Sequence, residues 1–250
     1  MGGAAAILSR RRAAALALLL VLLAAYGAVA RHLPSLPSGV DVVFHAVVVF
    51  PAFAAAIWLG LPLARLRMLP LALMAAGAGA IAVVLEFLDV DSVGNVAKLA
   101  CFALAGFWFL SLFEELWWIA LVAVLVPWVD IWSVAAGPTE YVVEEKPGFF
   151  ENVAVGFPTP GGTVTVSLGP PDVIFFSLFL AAADRFQLRV TATWVGMCSC
   201  LAATLVLVWT WDSVAGLPAL PAICLGFLLP NADLLWSEVR RARTGASEAS

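Results

Sequence analysis

Eight apolar runs, each near the length that crosses a bilayer, follow one another along this chain, with one long polar interruption. Lipid offers no water to exposed backbone, so such segments must close their hydrogen bonds internally as helices. The runs cover roughly residues 13–30, 42–63, 69–88, 95–113, 116–136, 166–184, 190–210 and 214–232. Each approaches the twenty or so residues that a spanning helix needs. With 63% hydrophobic and 12% charged residues and a mean hydropathy of +1.02, a chain of 250 residues carries more apolar surface than a soluble domain could bury. The expected fold is all-α: a polytopic transmembrane helix bundle of about eight spans. Four spans belong to an N-terminal half (1–113) and four to a C-terminal half (114–250), which contains the polar loop 137–168.

Orientation follows from the basic residues. With the N-terminus in the cytoplasm, ten of the 13 Lys and Arg residues fall inside, and only Arg31, Lys98 and Lys146 fall outside. That asymmetry is the positive-inside pattern. It puts both termini in the cytoplasm and loop 137–168 outside, in a multi-pass protein whose expected setting is a prokaryotic cell membrane. The net charge of −4 therefore implies no nucleic-acid partner, because the basic residues mark topology. The C-terminal Arg240-Arg241-Ala242-Arg243 reads as a stop-transfer flank. The first run, with Ala28-Val29-Ala30 behind it, also fits a cleavable signal. Its length favours retention as a span.

Cys101, Cys198, Cys200 and Cys224 all lie within runs and lack zinc spacing, so no metal and no cofactor is expected. His45, within the second run, is expected in a hydrogen-bonded packing role. Glu86 and Lys98, near the outer ends of the third and fourth runs, are expected to snorkel to the interface. Trp117, Trp118, Trp128 and Trp132 read as an interfacial aromatic belt.

Two acids remain unexplained by topology. Asp130 and Asp172 stand alone inside apolar runs, where a charge is costly and marks a functional site by default. The fifth run points outward and the sixth inward, which puts both acids a turn or two below the same surface. The eighth run opens at that depth with Gly216-Leu217-Pro218-Ala219-Leu220-Pro221. Two carboxylates held close in low dielectric cannot both ionise cheaply, so they share a proton and titrate as a unit. One oxygen can then deprotonate a water while another protonates the amide leaving group, the aspartic-protease pattern. Paired membrane acids also serve proton-coupled transporters, and that alternative stays open. Pro170, Pro171, Pro218 and Pro221 remove backbone donors at the same depth, and irregular backbone there must face protein or water. Upstream of Asp172, Thr163-Val164-Thr165-Val166-Ser167-Leu168 alternates polar and apolar β-branched residues, which predicts a short strand. It would either recruit an extended peptide at its edge or pair only within its own loop.

At these residues the chain resembles the intramembrane aspartyl proteases, the presenilin and signal peptide peptidase group. Val126-Pro127-Trp128-Val129-Asp130-Ile131 is similar to the family's segment with its first aspartate. Leu168-Gly169-Pro170-Pro171-Asp172-Val173 resembles the Gly-x-Gly-Asp segment with its second, and Pro218-Ala219-Leu220 matches the Pro-Ala-Leu motif. Val129 stands where the family has Tyr or Trp, Pro171 replaces a glycine, and eight spans are found where the family has nine. The resemblance implies hydrolysis of peptide bonds in or near the transmembrane segments of other membrane proteins. Asp130 and Asp172 would be catalytic, while Gly169, Pro218, Ala219 and Leu220 would bind substrate. It also implies, as rival, a catalytically inactive binder of membrane segments.

Overall fold

The computed structural model describes residues 8–136, 153–162, 165–210 and 219–248. Most of loop 137–168 lies outside these, as do Thr163, Val164 and Pro218. Helix α1 (Arg10–Val29) starts behind Ser9, whose hydroxyl accepts the Arg12 N–H at 3.3 Å. After a linker, α2 (Ser38–Phe44) passes through a π-helical turn (His45–Val49) into α3 (Phe50–Gly60) and a 3₁₀ turn (Leu61–Arg65), making one continuous rod. Then come α4 (Met68–Phe87), α5 (Asp91–Leu110) and α6 (Leu116–Ala136), the strands β1 (Val155–Pro158) and β2 (Thr165–Leu168), and α7 (Pro170–Arg185), α8 (Val190–Thr210) and α9 (Ala219–Glu248).

Six segments among the described residues are long and apolar enough to cross a membrane: Arg10–His32, Gly39–Arg65, Met68–Phe87, Asp91–Leu110, Val190–Thr210 and Ala219–Glu238. The protein is a helical membrane protein. Of the remaining two helices, α6 coincides with the fifth run and α7 with the sixth after its first residues, which belong to β2. Helix ends meet as an up-and-down bundle requires. At one end the Tyr26 hydroxyl donates to the Pro158 carbonyl at 2.6 Å and the Gly161 N–H to the Ala30 carbonyl at 2.8 Å. At the opposite end Arg65 pairs with Asp184 at 3.0 Å, and Arg185 donates to the Leu110 carbonyl at 3.1 Å. The first is called the hairpin end below.

Helix α7 is the axis of the bundle. Every residue from Phe176 to Ala183 is buried, as expected of a helix apolar on all sides. Phe176 packs on Phe53 of α3 (ring centroids 5.9 Å apart), and Phe179 stacks on Phe227 of α9 (4.7 Å). Across from α5 the approach is closer still: a methyl added at Gly106 would collide with the Ile174 carbonyl oxygen. Helices α8 and α9 meet similarly, backbone to backbone, through Gly196 and Gly226. Lipid supplies no hydrophobic drive between helices, and small residues at crossings let dispersion take its place.

The predicted strand is present over Thr165–Leu168, but it is not alone. It pairs antiparallel with β1, in the register Val155↔Leu168 and Phe157↔Val166. One edge is therefore occupied by another part of the same loop, the second of the two arrangements expected for it. Phe157 anchors the hairpin edge-on against Phe50 and Phe53, with centroids 6.2 and 5.8 Å away. Pro170 and Pro171 also differ from expectation. They occupy the first turn of a regular helix behind the N-cap Gly169, where no N–H is required, and so start α7 instead of disrupting it.

Candidate active site at the hairpin end

Asp172 is the third residue of α7. Its Oδ2 accepts the Gly169 N–H at 2.9 Å, the carboxylate reaching back over the N-cap. Gly169 thus orients the acid through its backbone. The arrangement tolerates Pro171, since the hydrogen bond uses the amide two residues earlier.

Asp130 arrives from the last two turns of α6, three residues after Pro127 inside that helix. It is half-buried, close enough to Asp172 for the two charges to interact. The Leu220 N–H, at the start of α9, is directed at its carboxylate, while its Oδ2 is buried without a hydrogen-bond partner. Cys224, one turn further along α9, lies within the field of Asp130. Four of the six residues singled out from sequence thus meet here: Asp130, Asp172, Gly169 and Leu220. Ala219 precedes Leu220 as the first, half-buried residue of α9, and Pro218 lies outside the described residues. Trp128 and Trp132 flank Asp130 on the outer face of α6, 71% and 65% exposed, as a lipid-facing belt would be. Among the described residues, no three His, Cys, Asp or Glu side chains gather as a metal-ligand set.

At the same end, and lined by neither Asp130 nor Asp172, lies a groove of about 1330 Å³ bounded by α1, the α4–α5 turn and one face of the hairpin. Gly156, Pro158, Thr165 and Ser167 form that face. Strand β2 therefore lines the groove and runs directly into Gly169 and Asp172. Asn95 of α5 accepts the Gly156 N–H at 3.2 Å, and Tyr26 holds β1 from the side of α1. Sequence reasoning missed both residues, because each acts through a partner distant along the chain.

Two expectations about isolated polar residues are refined. His45 is fully buried, its Nδ1 2.9 Å from the Asp41 carbonyl oxygen and 3.3 Å from the Asp41 carboxylate. It sits at the π-helical turn, a packing role with an added local partner. Glu86 and Lys98 do not snorkel separately. They pair with each other across α4 and α5 at 2.8 Å.

Compared with protein-family models, curated proteins and solved structures, the chain has no match. Its class therefore rests on its own residues: a polytopic helical membrane protein with two carboxylates brought together at one end.

Proposed function

We propose that this protein is an intramembrane aspartyl protease of the presenilin and signal peptide peptidase type, cutting peptide bonds in or near transmembrane segments of other membrane proteins. One observation carries the proposal. Asp130, Asp172 and the Leu220 N–H, carried by three helices, come within interaction range of one another. In this mechanism Asp130 takes a proton from water through its unpartnered Oδ2. The resulting hydroxide adds to the scissile carbonyl. Asp172, one oxygen held by Gly169, delivers the shared proton from the other to the departing amide nitrogen. Water is consumed, and a carboxyl and an amine terminus form. Ala219 and Leu220, with the adjoining Pro218, shape the cleft, and β2 guides the chain toward Asp172.

In this proposal α1, the α2–α3 rod and α4 to α9 make eight spans, with both termini cytoplasmic and the hairpin end outside. Substrates whose N-terminus is cytoplasmic then enter in the productive direction, an orientation that resembles signal peptide peptidases. The test is to incubate the purified protein in micelles with membrane-anchored peptides and read products by mass spectrometry. Asp130→Asn and Asp172→Asn should each lower turnover by at least about 100-fold. Cleavage that survives either substitution sinks the proposal.

A further inference from the structure

The two acids are held very differently. Asp172 belongs to α7, where residues 176–183 are all buried, and the Gly169 N–H hooks its Oδ2 at 2.9 Å. Asp130 belongs to a helix that leans chiefly on α9. Its neighbours Trp128, Val129, Ile131 and Trp132 are all exposed. One member of the pair is therefore anchored on two sides, and the other stands on a helix end with little around it.

That helix is interrupted just before the acid. The buried stripe of α6 runs through Leu116, Ile119 and Ala123. Asp130 follows Ala123 by seven residues, which in a straight helix keeps it within about 20° of the same face. Pro127 lies between them, inside the helix. It has no N–H to give the Ala123 carbonyl, and its ring crowds that oxygen. Ala123 is fully buried, so bulk water does not replace the missing donor. The ladder of α6 is thus weakest one turn before Asp130. Asp130 lies about 4.5 Å beyond Pro127 along the axis. A bend of about 20° at the proline moves the acid by about 1.5 Å over that lever. A displacement of about 1 Å is enough to change a rate by about 100-fold.

We propose that Pro127 is a positioning residue for Asp130: the bend it permits in α6 brings this acid to its working separation from Asp172, the fixed member of the pair. The inference rests on the protease proposal and adds to it the residue that sets the spacing of the dyad. Pro127→Ala supplies the absent N–H and straightens the helix. In the full-length protein in micelles, assayed below the Tm of each variant, kcat should fall at least about tenfold while KM stays unchanged. A peptide whose scissile carbonyl is replaced by a tetrahedral hydroxyl carbon mimics the transition state, and it should lose affinity by about the factor that kcat loses. Pro230→Ala, which removes the proline inside α9, is the control and should leave kcat unchanged. Full kcat in Pro127→Ala overturns the inference and leaves the protease proposal standing. So does a loss expressed wholly in KM, or an equal loss of kcat in Pro230→Ala. Should Pro127→Ala yield no folded protein, amide exchange in the unaltered protein decides. Residues 128–131 should exchange at least about tenfold faster than residues 119–123 of the same helix, and equal rates overturn the inference. If the unaltered protein cuts no peptide better than Asp130→Asn does, the protease proposal fails and this one falls with it.

Discussion

Gly106→Ala asks whether backbone contact across α5 sets the position of α7, and with it Asp172. The new Cβ would collide with the Ile174 carbonyl oxygen and lie 2.8 Å from Ser177 Cβ. Neither gives way easily. The carbonyl belongs to the α7 backbone, and Ser177 is fully buried with its hydroxyl donating to the Val173 carbonyl at 2.8 Å. Helix α7 must back away by about 1 Å to restore ordinary contact. Overpacking of this kind costs about 1–3 kcal/mol, and replacing a helical glycine by alanine returns up to about 1 kcal/mol. A net loss of about 0.5–2 kcal/mol lowers Tm by roughly 1–8 °C for a chain of this size. Activity should fall further, because Ile174 follows Asp172 by two residues and a misplacement of about 1 Å can cost about 100-fold in rate. Thermal melting and peptide cleavage in the same micelles measure both effects. Gly77→Ala is the control, since a Cβ there meets nothing within 4 Å; it should leave Tm unchanged or raise it slightly. If Gly106→Ala keeps the original Tm and turnover, or Gly77→Ala loses as much, the close-approach argument is wrong.

Asn231→Leu should cost about 2–4 kcal/mol, because fully buried Asn231 accepts the Arg189 N–H at 3.1 Å and donates to Thr193 Oγ1 at 2.7 Å, and the loss strands polar groups of both. Asp233→Asn removes a two-point ion pair with Arg189 whose side chains are 61% and 50% exposed, and water screening should make its effect on Tm much the smaller; equal shifts in Tm for the two variants would reject this ranking. For topology, a cysteine replacing Glu144 should react with a membrane-impermeant reagent added outside, and one replacing Ser247 should not. The opposite labelling pattern reverses the orientation and the preference for substrates with a cytoplasmic N-terminus.

Helix positions were legible because a bilayer imposes a long apolar signal. The runs 116–136 and 190–210 coincide with Leu116–Ala136 and Val190–Thr210. Where they fail, local chemistry overrides hydropathy. The run 166–184 begins in β2, because hydropathy alone does not separate strand from helix until Gly169 and two prolines start α7. The last run was expected to stop near 232, yet α9 continues through Pro230 to Glu248. The Pro230 carbonyl is satisfied there by Arg189 at 2.7 Å. Strand β1 escaped notice because Val155-Gly156-Phe157-Pro158 carries two poor strand formers in four residues. At the candidate site the acids stood out as isolated charges. Leu220 entered as part of a motif, but what it contributes is a backbone N–H, which no side-chain pattern encodes. Glu86 and Lys98 were visible only as separate charges, since their pairing depends on how α4 and α5 align.

The two ends of the bundle are built differently, and the difference bears on how the proposed protease would work. At the end opposite the hairpin, Arg12 donates to the Trp58 carbonyl at 3.0 Å, Arg65 grips Asp184, and Arg189 ties the α7–α8 turn to Asn231, Pro230 and Asp233. Each clamp joins two or more helices by hydrogen bonds to charged groups or buried amides. At the hairpin end the balance is reversed. Three of the four buried side-chain atoms without a hydrogen-bond partner among the described residues are there: Asp41 Oδ1, which has only the His45 ring at 3.3 Å, His45 Nε2 and Asp130 Oδ2. Buried polar atoms usually find partners, so their clustering marks a region held short of full satisfaction by the rest of the fold. The groove opens at that same end. A protein that must admit water and a foreign helix needs one end whose polar groups await partners, and another that stays closed while the first rearranges. The clamps keep α7 fixed at its far end, so opening at the hairpin end can change access to Asp130 and Asp172 while the Gly169 N–H keeps Asp172 aimed.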